Sequence, residues 1–113
     1  MLDCLQYRKA LAGRIGEIGS LTHDTVRGYQ TLSKAGQQQD SLEAKTRELI
    51  ALAVAVTTHC DGCITTHVGE ALKHGATKEE IAEALGLAVA LNAGAAMVYS
   101  ARVMDAVVAH SAK

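Results

Sequence analysis

Sulfur and imidazole groups crowd together at one place in this chain, His59-Cys60-Asp61-Gly62-Cys63-Ile64-Thr65-Thr66-His67. On a helix Cys60, Cys63 and His67 fall at i, i+3 and i+7, within a wedge of roughly 60° at about 100° per residue. Two thiols and a base then share one stripe, with Cys63 and His67 one turn apart. The stretch opens its helix, so both thiols sit near the positive end of the dipole, where a thiolate is favoured. Thiols at i and i+3 have Cα atoms roughly 5 Å apart, within disulfide range. Position and dipole favour Cys60 as the attacking thiolate, whereas proximity to His67 favours Cys63, and both assignments stay open at this level.

Two helices must position these groups. Asp40 or Ser41 can cap a helix reaching about Thr57, and Glu43 three residues after Asp40 resembles a capping box. The first half of that helix carries Glu43, Lys45, Arg47 and Glu48. Its second half, Leu49-Ile50-Ala51-Leu52-Ala53-Val54-Ala55-Val56, is apolar on all sides and is expected to be buried on all sides. Thr57-Thr58-His59 makes a turn, and the next helix runs from Cys60 to about His74, ending at a C′ glycine, Gly75. Glu48 lies roughly 14 Å before the turn and His67 roughly 10 Å beyond Cys60, at 1.5 Å per residue. An antiparallel hairpin brings them to similar depth. Glu48 then orients or accepts from His67, and His67 takes a proton from a thiol.

The flanking segments read as helices too. The first spans about residues 2–18, with Leu2, Leu5, Leu11, Ile15 and Ile18 as apolar positions, and Gly19-Ser20 breaks it. The second spans about 21–34, with Val26, Tyr29 and Leu32 on its apolar side, and Gly36 and the polar run after it make a loop. Thr77-Lys78-Glu79-Glu80 is a capping box for a fifth helix, whose buried side continues through Ile81, Leu85, Ala88 and Val89. Asn92-Ala93-Gly94-Ala95-Ala96 is either a break or a close-packing point, and a last helix carries Met97, Val98, Val103, Met104, Val107 and Val108 before a fraying tail. No stretch alternates with period two. The expected fold is therefore all-α, about six helices around a central hairpin, in a single domain over residues 1–113.

Composition narrows the partners. A net charge of −1 gives no electrostatic case for nucleic acid. The longest unbroken apolar run, 49–56, is far short of a bilayer span, and no signal peptide is visible, so no membrane and a reducing cytoplasm are expected. There a CxxC is more often redox-active or metal-binding than a static disulfide. The apolar residues are mostly Ala, Val and Leu, and with no Phe and no Trp the core is thin. Self-association is expected to add burial.

Glu48, Cys60, Cys63 and His67, an E-x11-C-x2-C-x3-H pattern in all-α surroundings, resemble the AhpD-type alkylhydroperoxidases of the carboxymuconolactone decarboxylase family. The likeness covers roughly residues 41–105. It implies an all-helical fold assembled as dimers, trimers or trimers of dimers. It also implies peroxidase or disulfide-reductase chemistry on a hydroperoxide with an external dithiol reductant, and no cofactor. By carry-over Cys63 is the thiol oxidised to a sulfenic acid, Cys60 the proton donor and resolving thiol, and His67 with Glu48 the proton relay. The best-known members carry a histidine directly before the second cysteine, where this chain has Gly62.

Other readings compete. Cys60, Cys63, His67 and His59 or Glu48 could supply four zinc ligands, but a third ligand two turns along one helix makes a poor tetrahedron. A lyase acting on a lactone would use Glu48 and His67 as acid and base, although the family's decarboxylase branch typically lacks the CxxC pair. A non-catalytic module whose thiols sense oxidation is the third. Cys4, His23, His74 and His110 have no visible partners, and Tyr99 is expected to pack.

Overall fold

Two residues fix where the chemistry-bearing helix begins and ends. His59 takes a left-handed backbone (φ 56°) and turns the chain sharply, so that the Cys60 amide donates to the Ala55 carbonyl at 3.0 Å. Gly75, at φ 86°, closes the far end. The computed structural model describes residues 1–112; Lys113, part of the expected fraying tail, lies outside the described residues. It is all-helical, in the order α1 (Cys4–Leu21), α2 (His23–Ala35), a 3₁₀ turn (Gly36–Gln38), α3 (Ala44–Thr57), α4 (Asp61–Lys73), α5 (Lys78–Tyr99) and α6 (Ala101–Ser111).

The core sits where α3, α4 and the start of α5 meet. Leu52, Ala71 and Ala76 are buried there, with Leu49, Val68 and Ile81 packed around them. Thr77 caps α5 in a reciprocal box: the Glu80 amide donates to Thr77 Oγ1 at 3.0 Å, and the Thr77 amide donates to Glu80 Oε1 at 2.9 Å. The other carboxylate oxygen of Glu80 meets Lys45 Nζ at 2.8 Å, tying α5 to α3. The bond to Lys45 and the Thr77 amide hold the Glu80 carboxyl below its ordinary range, and the bond to Glu80 raises Lys45. That tie is therefore complete between the two titrations and is lost on acidification through the lowered Glu80 value. Thr77→Ala removes one arm of the box and should cost about 1 kcal/mol, read by urea unfolding.

Several sequence expectations are corrected. Gly19-Ser20 does not break α1, because the Ser20 hydroxyl bonds back to the Gly16 carbonyl at 3.0 Å and the helix continues to Leu21. The box at Asp40 does not form: Asp40 lies at φ 55°, Glu43 is the N-cap, and its side chain makes no cap bond. Asn92 does not break α5, since its side-chain amide donates to the Ala88 carbonyl at 2.7 Å and to Thr57 Oγ1 at 2.8 Å. A Cβ placed on Gly94 meets nothing, so no close packing occurs there within the chain, and Met97 and Val98 belong to α5. Tyr99 is exposed, with the Arg102 guanidinium over its ring, and His74 faces Glu70 at 3.7 Å.

The expectation that the apolar half of α3 is buried all round fails within one chain. Leu52 and Ala55 are buried, whereas Ile50, Val54 and Val56 are exposed. On α5, Ala88 is buried but Val89 is exposed. The chain exposes 8941 Å², against about 5,900 Å² for a compact monomer of this mass. Its radius of gyration is 18.9 Å, against about 13 Å for a compact chain of this size. Much of the excess is apolar and lies on α5 and α6. The stretch Lys78–Ser111 contains an 18-residue segment of mean hydropathy 1.7, long and apolar enough to cross a membrane by length and composition. Gly, Asn and Ser interrupt that stretch, so it holds no unbroken apolar run of such length.

Candidate active site

Cys60 is the N-cap of α4, and Cys63 lies in its first turn. The two are joined by a disulfide, with Cα atoms 5.2 Å apart, and the Cys63 amide donates to Cys60 Sγ at 3.2 Å. The Cys60 sulfur thus holds the place that a Ser or Asp oxygen takes in an ordinary cap. On reduction, the same amide and the helix dipole favour a thiolate at that sulfur. Cys4 is free and exposed.

One turn beyond Cys63, His67 Nδ1 lies 2.6 Å from Glu48 Oε2, across the hairpin from α3. The depth matching argued from the sequence therefore brings this pair together. The Glu48 side chain is 14% exposed and that of His67 is 35% exposed. An ionised carboxylate only accepts, so it draws the ring proton to Nδ1 and leaves Nε2 as the nitrogen able to take or return a proton.

Both cysteines and His67 line a groove of about 720 Å³. Its other wall comes from α1 and α2, through Tyr7, Leu11, Ile15, Ile18, Val26 and Tyr29. A groove of that size suits a small organic molecule. α1 reaches α4 at specific points: Thr65 Oγ1 donates to the Cys4 carbonyl at 3.1 Å, and Leu11 sits over Gly62. Glu48 does not line the groove and reaches it through His67.

The structure brings Cys60 to Cys63 and His67 to Glu48, as the spacing predicts, and adds a wall that the spacing does not predict. Leu11, Ile15 and Ile18 read as apolar positions of the first helix, with no sign that they face the cysteines. The missed signal was Tyr7, which extends the stripe to i, i+4, i+8 and i+11 directly toward the cysteines. For zinc, the two thiols are bonded to each other and Glu48 is committed to His67. Among the described residues no group of three or more His, Cys, Asp or Glu side chains is arranged to hold a metal ion.

A sequence model of the carboxymuconolactone decarboxylase family matches residues 23–106, which span α2 through most of α6. This chain belongs to that family. A protein of Haemophilus influenzae is 50% identical over 104 residues, 92% of each chain. A protein of the cox locus of Paracoccus denitrificans is 37% identical over 91 residues, 80% of this chain and 79% of its own. Among solved structures, an apo carboxymuconolactone decarboxylase family protein from Legionella pneumophila superimposes with TM-score 0.73 at 33% identity. It covers 87% of this chain and 88% of its own. A protein from Methanobacterium thermoautotrophicum gives TM-score 0.69 at 28% identity, over 74% of this chain and 94% of its own. The AhpD-like, all-α expectation agrees with this membership.

Proposed function

We propose that this chain is a thiol-dependent peroxidase and disulfide reductase of the AhpD-like type. The observation that carries the reading is the Cys60–Cys63 bond at the N-terminus of α4, with His67 one turn on and held by Glu48 at 2.6 Å. In the cycle, the Cys63 thiolate attacks the outer oxygen of a hydroperoxide. The O–O bond breaks, the alcohol leaves with a proton, and Cys63 becomes a sulfenic acid. Cys60 condenses with it, releasing water and forming the disulfide. An external dithiol attacks Cys63, and Cys60 leaves as the thiolate stabilised by the Cys63 amide; the second thiol of the reductant then frees Cys63. His67 takes up and returns the protons through Nε2, and Glu48 keeps its ring oriented.

Reduced protein given one equivalent of cumene hydroperoxide should lose two mass units rapidly, mapped to Cys60 and Cys63, with Cys4 still free. Unreacted or unselectively oxidised thiols would refute the reading. Turnover of a lactone that survives serine at both positions would move the function to acid–base chemistry at Glu48 and His67. Oxidation without steady-state turnover under several dithiols would leave a sensing module. His67→Gln should raise the pKa of the reactive thiol, read as a shift of the iodoacetamide alkylation profile to higher pH. An unchanged profile would remove His67 from the proton relay.

The same proposal includes self-association. The surface excess of about 3,000 Å² falls within the range of obligate subunit interfaces. The apolar groove between α3 and α5, lined by Ile50, Val54, Leu87 and Leu91, opens on the same exposed side. Light scattering in detergent-free buffer should give a multiple of 11.8 kDa. A monomeric mass would refute this part.

A further inference from the structure

We propose that Leu11, on α1, is the specificity-determining residue of the thiol site, and that α1 forms a substrate-selecting wall over it. The inference rests on the thiol-peroxidase reading. Its evidence is an interlock at Gly62. A Cβ built on Gly62 would lie 2.5 Å from Leu11 Cδ2, closer than real Cβ atoms approach. The missing side chain between the two cysteines is therefore the seat that Leu11 occupies. Gly62 is an opening through which α1 lays an isobutyl group beside the disulfide.

From that seat the wall continues along one face of α1 through Ile15 to Ile18, and Val26 and Tyr29 of α2 close it. Tyr7 to Ile18 spans roughly 16 Å at 1.5 Å per residue. The wall is mostly apolar, and among the described residues no Lys or Arg lines the groove; its carboxylate is Asp61, beside Cys60. The donors that can meet negative charge, the α4 N-terminus and His67, sit at the thiol end, where the peroxide reacts, while Leu11, Ile15, Ile18 and Val26 offer apolar area to an uncharged body. The preferred substrate is thus a hydroperoxide whose organic part is apolar and uncharged, lying along Leu11 and Ile15 with its peroxide oxygen toward Cys63.

A second observation separates this wall from the chemistry behind it. Residues 23–106, which match the family model, contain Glu48, Cys60, Cys63 and His67, whereas α1 (Cys4–Leu21) lies wholly outside them. None of the residues of α1 is buried, so replacing Leu11 does not remove a core side chain. A Cβ at Gly62 meets only the tip of the Leu11 side chain at short range, and that tip can swing away.

The test is steady-state turnover of cumene hydroperoxide and of hydrogen peroxide, with excess dithiothreitol, in the full chain and in Leu11→Ala and Gly62→Ala. The readout is the ratio of kcat/KM for cumene hydroperoxide to that for hydrogen peroxide. Leu11→Ala should lower this ratio about tenfold, mainly through KM for the organic peroxide. Gly62→Ala, which pushes Leu11 off its seat, should move it the same way. A ratio unchanged in both variants overturns the proposal. If wild-type protein turns over neither peroxide, the peroxidase reading fails and the groove is read separately. Titrating 2-phenyl-2-propanol into oxidised protein should then shift the amide resonances of Leu11, Ile15 and Gly62, about tenfold more weakly in Leu11→Ala. Absence of those shifts overturns the wall itself.

Discussion

Replacing Cys63 by serine should abolish peroxide turnover, by roughly a thousandfold or more, which is at least about 4 kcal/mol of lost transition-state stabilisation. The reason is the atom, not the fold. A serine hydroxyl in the first turn of α4 is not ionised near neutral pH, and it cannot reach the sulfenic acid from which Cys60 would form the disulfide. The replaced side chain is only half-buried, so the variant should keep the wild-type circular dichroism. Cys60→Ser should behave differently. It should still reduce one equivalent of cumene hydroperoxide in a burst, and it should accumulate a dimedone-reactive sulfenic acid at Cys63. A peroxide burst with a dimedone adduct at Cys60 in Cys63→Ser, and none at Cys63 in Cys60→Ser, would reverse the assignment of the two thiols.

Leu52→Ala should be the most damaging single truncation in the core, at about 2–5 kcal/mol. Leu52 is 3% exposed, and its buried neighbours Ala71 and Ala76 are too small to move into the space it vacates. A typical domain has only about 5–15 kcal/mol of net stability, so the loss is a large fraction of the total. Urea unfolding followed by circular dichroism at one fixed protein concentration measures it. A loss below about 1 kcal/mol would mean that the stability resides away from the α3–α4 hairpin.

Much of the candidate site was legible because it depends on regular geometry. Glu48 and His67 meet because each lies a countable distance from one short turn, and a helix converts residue number into length without further information. Thr77 with Glu80, and Gly75 before them, read correctly because their chemistry is local. What failed to read were small and polar residues whose partners lie elsewhere. Asn92 and Ser20 look like breaks in composition, yet each satisfies its side chain on a carbonyl four residues back and lets the helix run on. Asp40 has the right residue type for a cap, but its left-handed backbone turns it away from that role. Gly62 stands where the best-known relatives of the motif carry histidine, and in the chain it is filled by Leu11 from another helix. No local pattern encodes that contact, because it joins two segments about fifty residues apart.

The exposed apolar side of α5 and α6 has a consequence for how the stability of this chain is to be understood. Under the proposed self-association, other copies of the chain cover that surface, and their concentration enters the free energy through mass action. The folded state then has no single melting temperature. Each tenfold dilution of the covering species costs about 1.4 kcal/mol per mole of cover released, and two laboratories working at different concentrations would report different proteins. On that proposal dilution acts as a denaturant, and the concentration of protein in a sample helps set how much of it is folded.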